Sequence, residues 1–146
     1  MPRGYPDFFG QQSFAYEGLF QQYTVTQNIL PNTTATVCLV DYKGRVLCGL
    51  VRFRKLAEPL LDTIIVTIDN HVSEAFLISD FLTFGITQPN IFPIFLTHYS
   101  QIDGTFYYGF GVHPGITFGL SYKIEYTEND GLLIANWSRV YFARVV

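Results

Sequence analysis

Three histidines, two cysteines and a short run of acids are the residues of this chain whose chemistry could serve catalysis or metal binding. His71, His98 and His113 each stand in a different segment. A cupin-type centre needs two histidines one residue apart on a strand, plus a glutamate and a third histidine, because several ligands must converge on one ion. That spacing is absent, and Asp69-Asn70-His71 reads as a turn. No G-x-S-x-G occurs, and Cys38 and Cys48 fall inside VCLVDYKGRVLCGL rather than beside a histidine at a helix start. Glu125, Glu128 and Asp130 gather in KIEYTENDG. Glycoside hydrolysis needs two carboxylates on opposite sides of a cleft, and one strand end with its turn cannot supply both. These acids are therefore expected to be exposed, and no catalytic residue, cofactor or metal is expected.

Trp137, the single tryptophan, shares a face of LLIANWSRVYF with Leu133, Ala135, Arg139 and Tyr141. Core packing is the ordinary fate of so large an aromatic. The sharper reading is a sugar-stacking platform of Trp137, Arg139 and Tyr141, with a glycan as candidate partner.

The elements that would position these residues show a period of two, the mark of half-buried strands. TIIVTID, TFYYGFGV and SYKIEYT alternate cleanly, and further strands are expected at about 23–29, 35–41, 45–53, 91–99 and 132–144. Turn signals such as Asp69-Asn70, Asp103-Gly104 and Asn129-Asp130-Gly131 separate them. About eight short strands predict an all-β, antiparallel sandwich of jelly-roll type, with an immunoglobulin-like order as the competing topology. One short helix competes with a strand in SEAFLISDFLTFG: Ser73 would cap it, Leu77, Phe81 and Phe84 would share a face, and Gly85 would end it. Asp41 to Arg45 suits a hairpin turn that sets Cys38 opposite Cys48. Two free thiols are expected there, with a disulfide as the alternative. In the basic run Arg52-Phe53-Arg54-Lys55, Arg52 and Arg54 share one face with Lys55 opposite, a pattern read as a solvated strand end, with contact to an acidic partner as the alternative.

Composition constrains the surface. Only 14% of the 146 residues are charged while 49% are hydrophobic and 17% aromatic, against roughly 25% charged in an ordinary soluble domain. Much of the surface is then expected to lie under neighbours. A net charge of −3 argues against nucleic-acid binding, which needs clustered cations. No apolar leader follows Met1-Pro2-Arg3-Gly4 and no run is long enough to span a bilayer, so neither secretion nor a membrane partner is expected. The sequons at Asn32 and Asn136 are read as chance matches.

Residues 1–22 form a separate segment before the sandwich of 23–146. They carry Tyr5, Phe8, Phe9, Phe14, Tyr16 and Phe20 without helical or strand period. Such a segment is expected to act as an extended assembly arm laid on another subunit, with packing on its own sandwich as the alternative. Aromatics of 150–250 Å² each, buried at ~25 cal/mol per Å², can offset its ordering.

The C-terminal half resembles the closing hairpins of small jelly-roll virion proteins of tailed phages and other viruses. The matching positions are Gly115, Ile116, Phe118, Ser121, Ile124, Tyr126, Asn129 and Asp130; the opening GYPDFFG and the later VTIDN are similar to phage structural gene products. The resemblance implies a capsid-associated, decoration or fibre protein, homo-oligomeric and bound to other virion proteins, made in the host cytoplasm and located in the virion. It carries over no site residues, because such proteins work through surfaces.

Overall fold

Alternating sequences become strands here because one face of each can be buried against a second sheet. The computed structural model describes residues 20–89 and 92–145. The eleven strands among these residues are β1 (Phe20–Ile29), β2 (Thr34–Val40), β3 (Gly44–Lys55), β4 (Thr63–Ile68), β5 (His71–Val72), β6 (Phe76–Leu77), β7 (Ile94–Ile102), β8 (Thr105–Val112), β9 (Thr117–Phe118), β10 (Tyr122–Thr127) and β11 (Ile134–Arg144). Among the described residues one helix of about a turn and a half, α1 (Ile78–Thr83), lies between β6 and β7.

The strands form two antiparallel sheets. One has the order β1-β11-β3-β8-β7 with β9 also on β3, and the other β2-β10-β4-β5 with β6 also on β4. The links β1 to β2, β2 to β3, β3 to β4 and β10 to β11 each pass from one sheet to the other. First beside last, and second beside next-to-last, is the nested wrap of a jelly roll. This order excludes the immunoglobulin-like alternative.

Between the sheets lie Val37, Val51, Phe53, Ile64, Phe81, Phe110, Tyr122, Ile124, Tyr126, Ile134, Val140 and Phe142, all buried. The Phe53 ring packs against Tyr126 at 4.4 Å and Tyr108 at 5.3 Å between centroids, and Phe81 meets Phe110 at 5.0 Å. Each such side chain contributes about 1.5–3 kcal/mol of burial. Asn136 and Ser138 are buried too, so the second sequon lies inside the fold.

Several expectations need correction. Val40 and Gly44 end strands of different sheets, so the Asp41 turn is an arch across the sandwich and not a hairpin. Cys38 pairs with Ile124 and Cys48 with Tyr141; Cys38 is buried, Cys48 exposed, and both thiols are free. β1 starts at Phe20, so Phe20 to Gln22 belong to the sheet and not to the arm. Tyr5, Phe8, Phe9, Phe14 and Tyr16 lie outside the described residues. The 91–99 strand runs instead from Ile94 to Ile102.

The helix exists but starts later than Ser73, whose hydroxyl accepts the Val66 N–H and thereby joins the β4 edge. Phe81 is buried and Phe84 exposed, so they do not share a packed face. Gly85 closes it with φ +66°, its N–H bonding Leu82 O while Ile86 N–H bonds Phe81 O. That pair of bonds is a Schellman ending, in which glycine takes the left-handed conformation at least cost. The Asp69-Asn70 and Asp103-Gly104 turns are two-residue loops with φ positive at both residues, the geometry that matches strand twist.

Candidate functional site

Three strand ends meet at one end of the sandwich. β3 stops at Lys55, β4 begins just after Asp62, and β10 is followed by Glu128. Along their strands these residues continue the inward stripes Val51-Phe53, Ile64-Val66 and Ile124-Tyr126. Inward position draws all three side chains under the loops. Lys55, Asp62 and Glu128 are fully buried and Asp130 nearly so. The reading of Lys55 as a solvated strand end, and of Glu128 as an exposed acid, is thereby overturned. Glu125 is different: it faces outward on β10 and pairs with Lys123 at 3.3 Å.

The Lys55 ammonium donates to Asp62 Oδ2 at 2.8 Å and Asp130 Oδ2 at 2.6 Å and lies 2.9 Å from Glu128 Oε2. One cation thus faces three carboxylates. The excess negative charge is met by fixed donors: Glu128 accepts the N–H groups of Asn32, Asp130 and Gly131, and Asp62 accepts Asn129 N–H and the Tyr126 hydroxyl. Tyr126 in turn contacts the hydroxyl of Tyr108. Burial lifts both tyrosines well above their usual pKa, keeping the hydroxyls protonated as donors.

The environments push the ionisable groups apart. Burial works against the Lys55 ammonium, but its bonds to Asp130, Asp62 and Glu128 outweigh burial and raise its pKa. Burial also opposes the Glu128 carboxylate, yet the Asn32 N–H, Lys55 and the Leu132 and Asp130 N–H groups reverse this and lower its pKa to about 2. At Asp62 burial prevails over the Asn129 N–H, Lys55 and Tyr126, and the pKa is raised. Oxygens of Asp62, Glu128 and Asp130 lie within 4.8 Å of one another, a spacing that suits a cation. Lys55 itself supplies that cation, so the arrangement is an internal ion cluster that ties loops 30–33, 56–62 and 128–133 together.

Around it stand exposed aliphatic side chains. Leu30, Leu56, Leu60, Leu61, Ile102 and Leu133 are each at least half exposed, and strand register puts all six at this end. Asn129 Nδ2 donates to Leu61 O and Thr33 Oγ1 to Leu30 O, fixing the loops that carry them. Composition announced apolar surface but gave no place for it.

The histidines do not converge. His71 is in β5, His98 in β7, and His113 follows β8, where its Nδ1 pairs with Pro114 O. Trp137, Arg139 and Tyr141 lie together on the outer face of β11, which overturns the core reading of Trp137. The indole is not a bare platform: the Arg52 guanidinium lies over it, 5.6 Å from the ring centroid. Among the described residues no helix is long and apolar enough to cross a membrane. No protein-family model matches the chain, and no curated protein matches it.

Proposed function

We propose that this chain is a non-enzymatic subunit of a virus particle or similar surface assembly, joined to its neighbours through apolar surface and its N-terminal segment. The observation that carries the reading is the aliphatic crown at the Lys55 end. Large exposed apolar side chains gathered at one end suit an interaction site, and here a buried ion cluster holds their loops in place. β1 begins at the opposite end, so Phe20, the first described residue, lies about 30 Å from the crown. An aromatic segment preceding β1 in the chain and an aliphatic crown at the far end of β1 suit a head-to-tail contact between copies. The jelly-roll wrap and the resemblance of the C-terminal half to virion proteins support the setting.

Sedimentation of the full chain beside Leu56→Glu/Leu60→Glu is the test. Both positions are exposed, so the variant is expected to keep the wild-type melting temperature and run as a smaller species. A monomeric wild type, or an unchanged mass in the variant, would overturn the reading.

A further inference from the structure

The charges of this chain are segregated. β3 and β11 hold Arg45, Arg52, Arg54, Lys55, Arg139 and Arg144, whereas no Asp or Glu occurs in any described strand of their sheet. Arg52, Arg54 and Arg139 are exposed on its outer face, and none has a carboxylate partner among the described residues.

Register lays this face out as a grid. One row reads Thr26, Trp137, Arg52, Gly109, His98; the next reads Asn28, Ala135, Arg54, Tyr107, Ser100. On the other side of the first row lie Thr24, Arg139, Leu50, Gly111 and Phe95. Arg52 and Arg54 are two residues apart on one strand, about 7 Å. The Trp137 ring holds Arg52 by cation–π contact. Gly111 leaves room for the Phe95 ring, which an added Cβ would meet at 2.5 Å.

We propose that this face binds an acidic polysaccharide, its guanidinium groups pairing with the carboxylate or sulfate groups of the sugar chain. Guanidinium forks match such groups in bidentate fashion. The hydroxyl and amide side chains of Thr24, Thr26, Asn28 and Ser100 border the arginines and suit sugar hydroxyls. The net charge of −3 and so short a cationic row fit a nucleic acid poorly. The site is independent of the leucine crown, so it stands whether or not the chain assembles.

Trp137 is the only tryptophan, and its fluorescence reports on the site. Full-length protein is titrated at low salt with alginate, heparin, neutral dextran, poly-dT and polyglutamate. Alginate or heparin is expected to shift the emission and bind at least tenfold tighter than poly-dT or polyglutamate, weakening with salt, while dextran leaves it unchanged. Arg52→Gln/Arg54→Gln is expected to lose at least tenfold in affinity by calorimetry, Arg139→Gln less, and Lys123→Gln on the other sheet nothing. The inference falls if neither acidic polysaccharide binds, if dextran binds equally, if poly-dT or polyglutamate matches them, or if the arginine variants bind like wild type.

Discussion

Replacing Lys55 by methionine keeps the buried stem and removes the only cation among Asp62, Glu128 and Asp130. In the native cluster Glu128 titrates at about 2 instead of 4.5, which at neutral pH is worth roughly 3 kcal/mol of stability. A lowered folded pKa gives stability that is present above the unfolded value and lost as pH falls from about 4.5 through about 2. Asp62, with a raised pKa, works in the opposite sense and favours the folded state more at low pH. Without Lys55, three carboxylates within 4.8 Å lack a counter-ion, and breaking a buried pair on one side costs about 3–5 kcal/mol. Their folded pKa values then rise, so Lys55→Met is expected to gain more stability than the wild type as pH is lowered from 7 to 5. Urea unfolding at both pH values measures this by linear extrapolation. A loss below about 1 kcal/mol at pH 7, or a pH profile parallel to the wild type, would refute the assigned role of Lys55.

The remaining predictions concern single side chains. Tyr126→Phe removes the hydroxyl that donates to Asp62 and should cost about 1–3 kcal/mol in chemical denaturation. Tyr122→Phe removes a buried hydroxyl that has no hydrogen-bond partner among the described residues, so its midpoint should hold or rise, and a loss like that of Tyr126→Phe would contradict the assignment. A thiol reagent applied to the native protein should label exposed Cys48 and spare Cys38, whose thiol burial pushes up, until denaturant is added; labelling of both at equal rates would contradict the fold.

What the sequence by itself determined was local. Alternation in TIIVTI and YKIEYT, and the turn residues Asp69-Asn70 and Asp103-Gly104, specified strands and hairpin loops because a strand's faces repeat every two residues and those turns need positive φ. Gly85 marked the helix end for the same kind of reason. Even the ion cluster left a trace: Lys55, Asp62 and Glu128 each continue an inward stripe by one step, and the parity that put Lys55 opposite Arg52 was visible. What parity cannot show is that three stripes end at the same height of one sandwich. That meeting depends on which strands share a sheet, and the arch after Val40, which carries Cys38 and Cys48 into different sheets, looks in sequence like an ordinary hairpin. Trp137 was ambiguous because both faces of β11 carry large residues, and only packing against the second sheet decided that Phe142 and Val140 go inward while Trp137 and Arg139 face out. Periodicity is a property of one strand, whereas charge clusters, outer faces and crowns of exposed leucines arise from burial between strands far apart in the chain.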